Sequence, residues 1–256
     1  MPFDLSLAID VLLPVCQTAY AAMSIPPAAL ALPSGYAVVG LIQANPTAAA
    51  LAMHAAPAEQ QHPVTGMLSD SSTWGIVAWN GSTQTALVAI RGTKTIWEWI
   101  EDVTAVPTPF FPDWTAGDVH LGFQLCYLHC RDSLLTLLGQ IEPTRLLITG
   151  HSLGGALATY LALDVLLHKP TRPITPELMT FGSPRPGGLN FKTTFVGAVP
   201  NYARVVNWLD VVPDVPTWPS FRHCGEETLV HGPWKLSPSY RHSLTTYLSG
   251  LQKLKE

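Results

Sequence analysis

Apolar runs of four to six residues recur along the chain at 75–79, 86–90, 146–149, 178–181 and 203–208. Short apolar runs of this kind read as strands. Helical patterns lie between several of them, most clearly at 123–138 and 153–168, and another opens the chain at 5–23, followed by a Pro/Ala-rich crossing. Strands alternating with helices predict an α/β fold built on a largely parallel sheet. The runs 75–79 and 85–90 flank Asn80-Gly81, a hairpin signal, so the sheet is predicted to be mixed, with an antiparallel edge. No repeat, low-complexity tract or linker divides the 256 residues, so one domain over 1–256 is expected.

Composition narrows the function. Hydrophobic residues make up 47% and charged residues 12%, which excludes intrinsic disorder and leaves too few ions to cover a globule. The net charge of −4 offers no basic surplus, so no nucleic-acid partner is expected. The charge-free stretch between Asp10 and Glu59 is cut by Pro14, Pro26, Pro27, Pro33 and Pro46. No apolar run approaches the roughly 20 residues of a spanning helix. Residues 1–10 carry Asp4 and Asp10 but no Lys or Arg, unlike a signal peptide, so the expectation is a soluble protein, either cytoplasmic or the mature form of a secreted one. Cys16, Cys126, Cys130 and Cys224 are too few for a disulfide framework. Cys126 and Cys130 share one helix face, poor geometry for a bridge, and without a CxxC pair no zinc site is expected. All four read as buried free thiols.

One segment outweighs the rest. A strand at 145–149 runs into Gly150-His151-Ser152-Leu153-Gly154-Gly155 and then a long apolar helix. This is G-x-S-x-G in the strand–turn–helix setting that forces the serine into a strained conformation, with its hydroxyl expected to be exposed above the sheet. The N–H of Leu153, at the helix N-terminus, would face a developing oxyanion. A serine nucleophile needs a base, and the base needs an acid to orient it, following in the order Ser, Asp/Glu, His. Asp210 lies just past the strand at 203–208, where catalytic groups gather in open α/β sheets; Asp214 reads as a solvated loop residue. His242 precedes an amphipathic helix with Leu244, Tyr247, Leu248 and Leu251 on one face, and His223 is the alternative base. His151 reads as cleft wall, and His120 as support for a neighbouring turn.

The chain resembles the class 3 lipases, typified by filamentous-fungal triacylglycerol lipases. Matching elements run in order over about residues 75–250: Ile90-Arg91-Gly92-Thr93, Trp99-Ile100-x-Asp102, His120-x-Gly122-Phe123, Gly150 to Gly155, Thr180-Phe181-Gly182-Ser183-Pro184-Arg185, Arg204-Val205-Val206-Asn207-x-x-Asp210-x-Val212-Pro213, and His242. The resemblance implies an α/β-hydrolase fold: a central, mostly parallel mixed sheet flanked by helices, with a short helical lid. It implies the triad Ser152, Asp210 and His242. It also implies an oxyanion hole of Thr93 and Leu153, with Asp102 holding the Thr93 hydroxyl.

The same comparison makes residues 94–103 the lid. The residues agree: Thr95 with Glu98 forms a capping box, and Ile96, Trp99, Ile100 and Val103 fall on one helical stripe, with Trp97 outside it. The expected activity is that of a serine carboxylic-ester hydrolase, a triacylglycerol lipase working through an acyl-enzyme on Ser152. The alternatives are a phospholipase A1-type or feruloyl (aryl) esterase on the same fold, a serine peptidase, or a non-catalytic lipid-binding relic. The expected partner is a lipid ester at an oil–water interface, met through peripheral and reversible contact. No metal or organic cofactor is implied, because the triad mechanism is complete without one.

Overall fold

The computed structural model describes residues 3–45, 73–93, 106–167, 174–216 and 221–255. The N-terminal helix, α1, runs as Leu5–Leu7, a π-helical stretch Ala8–Leu12, and Leu13–Ala21. Then follow β1 (Ala37–Gln43), β2 (Thr73–Asn80), β3 (Thr85–Ile90), β4 (Pro107–Pro109), β5 (Asp118–His120) and α2 (Leu121–Leu138). After these come β6 (Arg145–His151), α3 (Leu153–Leu167), β7 (Pro176–Phe181), α4 (Leu189–Ala198), β8 (Asn201–Asn207), β9 (Glu227–Val230), α5 (Pro238–Arg241) and α6 (Leu244–Gln252).

Among the described residues the main sheet has the order β1-β2-β3-β6-β7-β8-β9. The pairs β1/β2 and β2/β3 are antiparallel, and every pair from β3 to β9 is parallel. The mixed sheet with an antiparallel edge is therefore as the sequence predicts. Strands β4 and β5 pair separately.

Uninterrupted apolar strands are explained by cover on both faces. On β3, Ala86, Val88 and Ile90 join a core with α2, α3 and α4, while Leu87 and Ala89 join a second core with α1 and α6. Helix α3 is buried all round from Leu153 to Val165, so it has no polar face to reveal its phase. Arg131 clamps α2 to α3 through Asp164, with Nε–Oδ2 2.6 Å and Nη2–Oδ1 3.1 Å, and the Tyr127 hydroxyl donates to the same carboxylate. Losing one member of such a buried pair costs about 3–5 kcal/mol.

The hairpin departs from its two-residue signal. Asn80 pairs with Thr85 across residues 81–84, and the Asn80 side chain accepts the amides of Ser82 and Thr83. Asparagine here closes the turn through its side chain. The expectations for residues 94–103 fall outside the described residues. No helix among the described residues is long and apolar enough to cross a membrane. All four cysteines are free and buried; burial pushes the Cys16, Cys130 and Cys224 thiols up to about 12.

Candidate active site

Strand β6 ends at His151, and α3 begins at Leu153. The single residue between them, Ser152, takes φ 60°, a left-handed conformation costing of order 1–3 kcal/mol in a residue with a Cβ. The turn closes because the backbone crowds: a Cβ on Gly154 would lie 2.1 Å from the Ile90 carbonyl oxygen, and one on Gly150 would strike the Gly154 carbonyl. Two backbone bonds hold the elbow, Ser152 N–H to Phe181 O at 3.0 Å and Gly155 N–H to Ser152 O at 2.8 Å. Leu153 opens α3, so its N–H has no partner four residues back within the helix.

The expected exposure of the serine is corrected. Ser152 is 1% exposed, and its hydroxyl has no hydrogen-bond partner among the described residues. The turn at Gly92 accounts for part of this cover, since a Cβ there would come 2.7 Å from Ser152 Cβ. A buried, unsatisfied hydroxyl on a strained backbone is held for a reason other than stability.

The second half of the site comes from three separated segments. After β8 the chain turns sharply, with Leu209 at φ 62° and Asp210 N–H bonded to Asn207 O. Asp210 accepts His242 Nδ1–H at 2.7 Å and the Tyr247 hydroxyl at 2.6 Å on Oδ2, and the Val212 amide on Oδ1. Burial alone would raise the Asp210 carboxyl, but attraction to His242 and these hydrogen bonds outweigh it and hold the group below its ordinary value. His242 caps the C-terminus of α5. The Asn207 side chain bridges to the preceding Arg241 carbonyl and to the Gly232 amide, tying this loop to β8.

The two halves meet through rings. His242 lies against His151, with centroids 4.5 Å apart and planes 32° apart, and close to Gly182. Gly182 follows Phe181, whose carbonyl accepts the Ser152 amide. His151 is buried, so its reading as cleft wall is corrected: Nδ1 lies 2.9 Å from the Tyr20 hydroxyl and Nε2 lies 2.8 Å from the His242 carbonyl. Burial, and next the His242 ring, push His151 down to about 3.

His223 stands apart, donating Nε2–H to the Pro213 carbonyl at 2.7 Å. Asp214 is mostly exposed and pairs with Arg185. His120 ends β5 and caps α2, its Nδ1 accepting the Phe123 amide. Thr93 is buried at the turn beside Ser152, whereas Asp102 and Ile96, Trp97, Trp99, Ile100 and Val103 lie outside the described residues. Among the described residues no group of three or more His, Cys, Asp and Glu is gathered as a metal site would need.

Sequence reasoning missed Tyr20 and took Tyr247 as one member of an apolar stripe. A tyrosine on a buried face carries a hydroxyl that needs a partner, and that signal pointed to Asp210.

Residues 87–220, just over half of the sequence, match the family Lipase (class 3). The chain belongs to that family. Among its relatives, a lipase of Rhizomucor miehei is 36% identical over 163 residues, 60% of this chain and 44% of the relative. Phospholipase A1-II 3 of Oryza sativa subsp. indica is 32% identical over 209 residues, 67% of this chain and 50% of the relative. The chain thus spans about half the length of these class 3 lipase relatives. The solved structure of the R. miehei triacylglyceride lipase superposes with a TM-score of 0.55 at 33% identity, covering 60% of each chain.

Proposed function

We propose that the chain is a serine carboxylic-ester hydrolase acting on lipid acyl esters, triacylglycerols first among them, within one domain. The observation that carries this reading is a serine at φ 60° on a β–α elbow, whose neighbour His151 packs 4.5 Å from a histidine that is bonded at 2.7 Å to a carboxylate. In this scheme His242 Nε2 takes the Ser152 proton as Oγ attacks the ester carbonyl. Asp210 holds the ring through Nδ1–H and stabilises the imidazolium. The oxyanion meets the N–H of Leu153 and the N–H and hydroxyl of Thr93. Collapse expels the alcohol, which takes the proton back from His242. Water, deprotonated by the same ring, then releases the fatty acid and regenerates Ser152. Residues 94–103 serve as the lid, a role resting on their apolar stripe and on the resemblance.

The match to a rice phospholipase A1 over 67% of this chain supports a second substrate, the acyl ester of a phospholipid. Emulsified triacylglycerol, phosphatidylcholine vesicles and a chain-length series of p-nitrophenyl esters, each assayed beside Ser152→Ala, separate the readings. Ser152-dependent release of fatty acid from triacylglycerol is the expected result. Release from phosphatidylcholine alone would transfer the assignment to phospholipase A1. Hydrolysis that survives Ser152→Ala would overturn the serine mechanism.

A further inference from the structure

We propose that Tyr20 and His151 are positioning residues for this hydrolytic site, a hydrogen-bonded strut that fixes the turn at Gly92 and the backbone of His242 at one spacing. The proposal rests on the serine-hydrolase reading above and gives a role to two polar groups, the half-buried Tyr20 and the buried His151, that its chemistry leaves unused.

The strut is continuous. The Tyr20 hydroxyl accepts the Gly92 N–H at 2.9 Å and lies 2.9 Å from His151 Nδ1. His151 Nε2 lies 2.8 Å from the carbonyl of His242. A carbonyl can only accept, so Nε2 carries the proton. An amide N–H can only donate, so the phenol accepts from Gly92 and turns its own proton toward Nδ1. The direction is therefore set at both ends: Gly92 N–H to Tyr20, Tyr20 O–H to His151 Nδ1, His151 Nε2–H to His242 O. Bonds aligned head to tail in a buried chain polarise one another. One tautomer of His151 satisfies every member, and the other would leave two lone pairs facing each other at His242.

The two ends of the strut are the two sides of the proposed reaction. Gly92 packs against Ser152 and immediately precedes Thr93, the proposed oxyanion donor. His242 supplies the base. The transition state requires donor and base together, and errors of about 1 Å in such a constellation cost about 100-fold. The ring of His151 also lies 4.5 Å from His242. A neutral neighbour at that distance permits His242 to become cationic during turnover, which a second cation would oppose. Tyr20 enters from the last turn of α1, so a helix remote in sequence is tied into the reaction centre.

The test uses the full chain and a soluble p-nitrophenyl ester. Tyr20→Phe is expected to lower kcat by about 10- to 100-fold while KM stays within about twofold, because the strut acts on geometry and leaves acyl binding untouched. His151→Gln, which keeps a side-chain N–H for the His242 carbonyl, is expected to retain clearly more kcat than His151→Leu. Ring nitrogen NMR of the unmodified protein is expected to show His151 protonated at Nε2, and Tyr20→Phe to mix the tautomers. Folded Tyr20→Phe with unchanged kcat, a change confined to KM, equal loss in the Gln and Leu variants, or an Nδ1-protonated His151 would each overturn the strut. If Ser152→Ala proves as active as the parent, the serine reading fails instead, and the tautomer spectrum still decides the strut.

Discussion

The two halves of the site are built by opposite means. The half proposed to carry the nucleophile is one contiguous segment, β6 to α3, and its shape is a matter of backbone sterics. Ser152 sits at φ 60° because glycines on either side let carbonyls pass where side chains would collide. The half proposed for acid–base work joins Asp210 to His242 and Tyr247, 32 and 37 residues further on, by polar side chains. The first half can be damaged by adding a methyl group, the second by removing a hydrogen bond. The variants of Ser152, His242, Asp210, Gly154 and Tyr247 below each strike one half.

Ser152→Ala and His242→Ala should each reduce ester turnover by about 10⁶-fold, because the reacting groups act as a unit. His223→Ala should stay near the parent. Steady-state assays check this, and a dead His223→Ala beside an active His242→Ala would reassign the base. Asp210→Asn should keep the fold and lose about 10⁴-fold in kcat, since an amide neither orients the ring correctly nor stabilises its cation. A loss under tenfold would mean that Asp210 does not support the base.

The next effect is on stability. Burial pushes His120, His151 and His223 each down to about 3, so each is neutral when folded across the working range. The unfolded chain binds their protons near 6.5, so their contribution is complete above that pH and declines as pH falls from 6.5 toward 3. Between pH 7.5 and 5.5 each should cost on the order of 1 kcal/mol, and the three together several. Asp210, held below its ordinary value, loses its contribution only below about pH 4. Urea unfolding across this range should show the histidine slope. His120→Asn, which keeps an acceptor for the Phe123 amide, should flatten it by about a third; an unchanged slope would remove His120 from this account.

Gly154→Ala should destabilise by about 3 kcal/mol, because its Cβ meets the Ile90 carbonyl oxygen at 2.1 Å. Its counterpart in the other half, Tyr247→Phe, should cost about 1–2 kcal/mol and lower kcat about tenfold with KM unchanged, through one lost bond to a carboxylate that keeps two others. If Gly154→Ala were the milder of the two in thermal unfolding, the contrast between steric and polar construction would collapse.

The same contrast explains what the sequence made legible. The elbow is local, so Gly150 to Gly155 announces it, and Asp210 and His242 follow from chain order and from position beside a strand end and a helix start. The bond between them, and those from Tyr247 and Tyr20, depend on packing between distant segments that no local pattern records. The edge strands β1 and β9 also escaped notice. β1 carries Gly40 at its centre, where a Cβ would strike Leu137 of α2, and β9 has four residues with one of them buried. β9 is too short to mark itself, and β1, although apolar from Ala37 to Ile42, lies in a Pro/Ala-rich stretch with no charged residue to set it off. The exposed serine was mispredicted because the elbow motif describes the backbone and not what closes over it.

The four thiols give this architecture built-in stopwatches. Cys16 lies on the buried side of α1 beside Thr149 of β6, Cys126 and Cys130 are buried residues of α2, and Cys224 lies just ahead of β9. At pH 8 a thiol held near 12 is ionised about one part in ten thousand, so an alkylating reagent finds almost nothing to attack until its segment opens. Timed alkylation followed by peptide mass mapping would then record which layer loosens first. Simultaneous labelling at all four would mark a single cooperative unit. Early labelling of Cys16 alone would mean that α1, with Tyr20 on its last turn, detaches while the sheet and the elbow remain assembled.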